Sequence, residues 1–238
     1  MLGSVHHYAI WDDHEYGPNN SDRSFAGKHW TREAFSLFWV NPELGVEEIG
    51  GVTTTFEWGD VQFFLLDDRW DRSPNGRKTG SRMILGERQL EWLIDALASS
   101  RATFKIVAIG GQVLNLVAYF ENYASYAEER AALLAAIEEE GITGIVFLSG
   151  DRHRAELTRF ERQGSYPLYD LTVSPLTAGV YAEEEPNALR VEGTFVPERN
   201  FAILDFDGPA DDRRVMMTIY GSDGAPRWSR TIRASELR

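Results

Sequence analysis

The run FKIVAIGG (104–111), then SYAEERAALLAAIEEEG (125–141), then GIVFLSG (144–150) decides the fold. The first and third pieces are continuously apolar over the length of a strand, as a strand buried on both faces must be. Between them Tyr126, Leu133, Leu134 and Ile137 form an apolar stripe at helical spacing. Ser125 and Glu128 stand in capping-box spacing at its start, and Gly141 closes it. Strand, helix and strand in this order predict a βαβ unit in a sheet covered on both sides.

The elements on either side extend that core. Leu90, Leu93, Ile94 and Leu97 predict a helix over about 86–99. VTTTFEW and VQFFLLD flank Gly59-Asp60, a β-hairpin signal with a two-residue turn. The polar, glycine-containing and basic segment 69–84 reads as a loop, and 30–41, with Phe35, Leu37, Phe38 and Trp39, as a short helix. VHHYAIW (5–11) reads as a buried strand that runs into the polar loop DDHEYGPNNSD, with His6 and His7 as structural residues inside it. Beyond residue 155 the helical pattern stops. AELTRF, LYDLTV, FAILDF and RRVMMTIYG read as short strands punctuated by Asp207-Gly208 and Asp223-Gly224, adding antiparallel strands to a second sheet. The expected architecture is a layered α/β sandwich forming one domain over 1–238.

Composition excludes several function classes. A net charge of −13 opposes general binding to nucleic acid or to anionic membrane surfaces. No cysteine is present, which removes disulfides, thiolate zinc sites and cysteine nucleophiles. No apolar run approaches the length of a membrane span. The start lacks the basic and apolar regions of a signal peptide.

Three apolar runs end in residues suited to a hard or borderline metal. YAIW ends in Asp12-Asp13-His14, IVAIGG in Gln112 followed by Asn115, and IVFLSG in Asp151-Arg152-His153. Open α/β sheets bind ligands outside the carboxyl ends of their strands, so Asp13, His14, Gln112, Asp151 and His153 are expected to converge. Carboxylate, amide oxygen and imidazole together suit calcium, manganese, iron or zinc. Each piece alone also has a structural reading, as a turn, a helix cap or a hydrogen-bonding loop residue. The joint occurrence is what carries weight. Asn19, Asn20, Asp22 and Arg23 extend the first polar loop, and an amide there can serve a metal or a phosphate oxygen. Asp60, in the hairpin turn, reads as turn chemistry.

WDDHEYGPNNSDRSF, WGDVQFFLLDDRW, FKIVAIGGQVLN, FLSGDRHRAEL and YPLYDLTVSPLT resemble the PhoD-like metallophosphatases of the calcineurin-like metallophosphoesterase superfamily, over about residues 8–180. In that family the third, fourth and fifth blocks read Trp-Asp-Asp-His-Glu, Gly-Gly-Gln and Gly-Asp-X-His; Trp11 to Glu15, Gly110 to Gln112 and Gly150 to His153 match them. The resemblance implies an α/β/β/α sandwich and hydrolysis of phosphate mono- or diesters at a binuclear metal centre. It implies Asp13, Gln112, Asp151 and His153 as metal ligands, and His14, beside Asp13, as the acid next to the leaving group. Asn20, Arg152 and Arg23 are expected to bind the phosphate, with Arg69 a further candidate. The family's first two blocks have no counterpart, so the sandwich is expected to be N-terminally incomplete and to lack the carboxylate that bridges the metals. Family members are often exported.

Two other readings compete. One is a non-catalytic relic that keeps the fold and at most one weakly held cation. The other is a sugar- or protein-binding sandwich using Trp30, Trp39, Trp58 and Trp70.

Overall fold

A computed structural model describes residues 4–46 and 49–238. Its elements in chain order are α1 (Asp13–Tyr16), α2 (Lys28–Phe38), β1 (Thr54–Trp58), β2 (Val61–Leu65), α3 (Glu87–Ser99), β3 (Phe104–Ala108), α4 (Ala127–Glu139), β4 (Ile145–Ser149), β5 (Glu156–Phe160), β6 (Leu168–Thr172), β7 (Asn200–Asp207), β8 (Arg214–Gly221) and β9 (Pro226–Arg233). Short 3₁₀ turns precede α4 and follow β9.

The βαβ reading holds. β3 and β4 pair in parallel on either side of α4, with Ile106 opposite Val146. They lie at the centre of a six-stranded sheet ordered β1-β2-β3-β4-β6-β5, in which β2, β3, β4 and β6 are parallel and β1 and β5 are antiparallel edges. Burial on both faces requires the unbroken apolar runs seen in the sequence, and Ile145, Val146 and Phe147 are all enclosed. One face of the sheet meets α3, where Phe64 packs edge-on against Trp92. The other meets the antiparallel sheet β7-β8-β9, where Phe63 and Phe104 both contact Phe206. Along β8, Val215, Met217 and Ile219 turn inward at every second position and join the same core as Leu93, Leu133 and Ile137. The molecule is thus a layered α/β sandwich. No helix among the described residues is long and apolar enough to cross a membrane.

Three expectations need correction. Residues 6–12 form no strand. Their backbone is held by a side chain instead: Asn41 Nδ2 donates to the Ala9 carbonyl at 2.8 Å, and the Ala9 amide donates to Asn41 Oδ1 at 3.0 Å. The aromatic rings that suggested a strand lie along β1, Tyr8 stacking on Phe56 at 3.9 Å. Second, β5 and β6 belong to the first sheet; β6 continues the parallel order beside β4, and only β7 onward builds the second sheet. Third, the Ser125 hydroxyl bonds the Phe120 carbonyl at 3.2 Å rather than capping α4, because a 3₁₀ turn moves the helix start to Ala127. Trp58 and Trp30 are exposed, but Trp30 lies on α2, away from the core.

Candidate active site

Because β2, β3, β4 and β6 run parallel, their carboxyl ends lie along one rim of the sheet, where ligands gather in such folds. Two glycines bring the ends of β3 and β4 together. The Gly150 amide donates to the Gly110 carbonyl at 2.8 Å. A Cβ on Gly110 would lie 2.3 Å from Asp68 Oδ2 and 2.9 Å from the Asp12 carboxylate, so a side chain there would push these acids off the strand end.

A cleft of about 350 Å³ opens beyond that junction, lined by Asp13, Asn19, Asn20, Phe120, Glu121, Asp151, Arg152, His153 and Tyr181. The backbone here is unusual. Four non-glycine residues among those described have positive φ: Asn20 (61°), Phe120 (47°), Asp151 (59°) and His153 (52°). All four line this cleft. The left-handed conformation costs a side-chain-bearing residue roughly 1–3 kcal/mol and persists where surrounding structure enforces it, most often at functional sites.

Asp13 is fixed by amides: its Oδ1 accepts from His14 N at 2.7 Å and its Oδ2 from Asn20 N at 3.1 Å, which ties the DDH and PNN ends of the loop together. His14 follows in the same turn and is exposed, outside the cleft lining. Arg152 is pinned by Glu185 and lies 3.3 Å from Asp151. Arg23 turns away and donates to the Asp71 carbonyl at 3.5 Å. Arg69 is buried behind the cleft and salt-bridged to Asp12, Asp68 and Glu121. Glu121 also takes Arg72.

Gln112 lies elsewhere. It is fully buried, its Nε2 donating to Glu156 Oε1 at 2.6 Å and to Thr172 Oγ1 at 2.8 Å, while its Oε1 accepts from Asn115 Nδ2 at 2.9 Å. Its carbonyl accepts from Tyr123 N at 2.9 Å, and Asn115 Oδ1 accepts from Val117 N at 3.0 Å. Gln112 therefore anchors the loop that carries Phe120 and Glu121 into the cleft. The cleft gathers Asp13, Asn20, Asp151, Arg152 and His153 from the expected set; His14, Arg23 and Gln112 stand outside its lining.

The electrostatics are strongly acidic. Burial pushes the Asp68 carboxyl up to about 6, reinforced by Asp67 and Glu121 and opposed by Arg69 and Arg72. Burial also raises Asp12, with Asp68 and Asp151 adding to the effect and Arg69 countering it. Asp151 is raised by burial and by Glu121 and Asp13, against Arg152 and Arg69. Burial disfavours the Arg69 guanidinium, yet Asp68, Asp12 and Glu121 outweigh it and hold its proton more firmly than usual. A profile of the PhoD-like phosphatases matches residues 3–209.

The chain belongs to the PhoD-like phosphatase family.

No curated protein matches the chain. The solved structure of PhoD superimposes with a TM-score of 0.72 at 17% identity, covering 96% of this chain and 53% of that one. The chain thus spans about half the length of that PhoD structure, and the likeness confirms the fold. PhoD-like phosphatases depend on metal, and the donors lining the cleft suit one: three carboxylates, of which Glu121 is already paired with Arg69 and Arg72, two amides and an imidazole. Asp68 Oδ1 is buried with no hydrogen bond, only the Arg69 guanidinium 3.4 Å away, and Asp68 and Asp151 add to the burial that raises Asp12, a repulsion that a nearby cation relieves. Among the described residues, no three His, Cys, Asp or Glu side chains are grouped closely enough to enclose an ion.

Asp68, Glu121 and Phe120 were not singled out in the sequence. The first was within reach of the rule that found the others, since VQFFLLD is an apolar run ending in Asp67-Asp68-Arg69 beside β3. Phe120 and Glu121 sit mid-loop, with no local pattern to mark them.

Proposed function

We propose that this cleft hydrolyses phosphate mono- or diesters with the help of bound metal ions. The convergence of the four left-handed residues Asn20, Phe120, Asp151 and His153 on one acidic cleft carries the proposal. Asp13, Asp151 and His153, with the Asn20 amide, are the candidates to hold a calcium, manganese, iron or zinc ion, and would have to draw closer together than they stand here to enclose it. When bound, such an ion supplies neutralisation of the phosphoryl oxygens and a water acidic enough to attack. Gln112 would join the ligands only with its oxygen released from Asn115. The chain's own residues orient the substrate: Arg152, held by Glu185, offers its guanidinium to a phosphate oxygen, and the Asn20 amide offers a neutral donor. His14 is the candidate to protonate the leaving oxygen; its exposed position lets it exchange protons with solvent.

The test is hydrolysis of p-nitrophenyl phosphate with added calcium or manganese. Activity should vanish with chelator and fall roughly hundredfold or more in Asp151→Asn, Asp13→Asn and His14→Ala, as for loss of a preorganised electrostatic group. Full activity with chelator, or in the Asp151 variant, refutes the proposal. One observation favours the second reading, a catalytically impaired fold. The Arg69 guanidinium already stands as a fixed cation among Asp12, Asp68 and Glu121. Metal content separates the two: two ions per chain excludes the impaired form, and zero or one excludes a binuclear centre.

A further inference from the structure

The cleft has two unlike sides. Asp13, Asn19, Asn20, Asp151 and His153 are polar, while Phe120 and Tyr181 contribute aromatic rings to the same lining. Phe120 is the odd member. It is 58% exposed and adopts φ 47°, so an aromatic ring stands in solvent on a backbone conformation that bulky residues avoid. Folding gains little from such a ring. Its position is nonetheless enforced on several sides. The Arg152 guanidinium lies 4.7 Å from its ring centre, and Tyr119 meets it edge-on at 4.2 Å. The loop beneath is closed by Asn122 Nδ2 on the Val117 carbonyl at 3.2 Å and by the Gln112–Asn115 network. Tyr181 is tied to the site by its amide, which donates to the His153 carbonyl at 3.2 Å, and by its hydroxyl on Glu183 at 3.1 Å. Two rings are thus held beside an anion-orienting arginine, a costly arrangement unless a ligand covers it.

We propose that Phe120 and Tyr181 form an aromatic lip that selects phosphate esters whose alcohol portion carries a planar aromatic ring, an aryl or nucleobase-bearing ester rather than a simple alkyl one. This substrate class presupposes the phosphate-ester chemistry proposed above. With the phosphoryl group at Arg152, Asn20 and the carboxylate side, the esterified group extends along the Phe120 face, where stacking replaces contact with water. Arg152 contributes to both ends: its guanidinium meets the phosphate while one face lies against Phe120.

The experiment is calorimetric binding to the full chain in manganese chloride, with phenylphosphonate and methylphosphonate as probes. Phenylphosphonate should bind roughly tenfold tighter, the usual scale of ring stacking. Phe120→Ala should bring the two to within about twofold, and Phe120→Trp should keep the preference. Tyr181→Ala should reduce it independently. Equal affinity for the two probes in the unaltered chain, an undiminished preference in Phe120→Ala, or its loss in Phe120→Trp overturns the lip and leaves the phosphoryl site standing. Binding of neither probe overturns both.

Discussion

Asp68 and Asp151 show how single residues in this site carry charge against their surroundings. The Asp68 carboxyl is raised to about 6 by burial, with Asp67 and Glu121 adding to it. A carboxyl raised on folding binds its proton more tightly in the folded state, so its contribution is present at low pH and is lost as pH rises through the folded value. Wild-type stability should therefore fall between pH 3.8 and about 6 relative to Asp68→Asn, measured by urea unfolding across that window. A slope unchanged by the substitution would show that Asp68 does not titrate there. Asp151 and His153 were legible in the sequence because they follow the apolar run of β4 and the sheet's directionality sets them at its rim, whereas Asp13 was marked at the end of a strand that does not form and reaches the cleft from α1. Phe120 was not legible, because its importance lies in a dihedral angle and a loop anchor that no local pattern encodes. Gln112 was expected among the metal ligands; its bonds to Glu156, Thr172 and Asn115, which hold it outside the cleft, could not be foreseen from local sequence.

Among the elements, the β3–α4–β4 crossover was the easiest to read. Its strands are apolar on both faces, and α4 buries Leu133 and Ile137 one turn apart. Truncating Leu133 to Ala should cost about 2–5 kcal/mol, the usual range for an enclosed leucine, read by denaturant unfolding. A cost below about 1 kcal/mol would mean the helix packs more loosely than its burial indicates. The second sheet was harder. β9 reads PRWSRTIR, with only Trp228 and Ile232 buried in it, so polar and charged letters dominate and the strand was missed. The sheet membership of β5 and β6 could not be inferred either, since strand patterns report burial and not neighbours. Asp60 gained a partner that the turn reading did not contain: Arg213, from the segment before β8, donates to it at 2.7 and 2.8 Å. That pair links the hairpin of the first sheet to the second.

At the scale of the whole molecule, one core draws on both sheets and on α3 and α4, while Trp11, Tyr16, Phe35 and Val52 form a smaller cluster under the site loop. We propose that the chain behaves as a single cooperative domain, with one unfolding transition by both fluorescence and circular dichroism. A ligand that binds only the folded state at a hundred times its dissociation constant adds about 2.7 kcal/mol. At about 2–4 °C per kcal/mol for a chain of this size, manganese should raise Tm by roughly 5–10 °C, and chelator should reverse it. No shift with any of calcium, manganese, iron or zinc would count against a metal site of useful affinity.

β7 closes one side of the three-stranded sheet, and among the described residues no strand lies beside its far rim in the sheet order. An open edge along this strand, with Ile203 exposed on it, would invite another polypeptide to add itself by main-chain pairing. Asp205 and Asp207 recur at alternate positions along that rim, and the chain carries a net charge of −13. Arg214 pairs with Asp207 at 2.6 Å, so Asp205 and the net negative charge of the chain are what would set two copies against each other rim to rim, a guard against clumping of the same sign as the cleft.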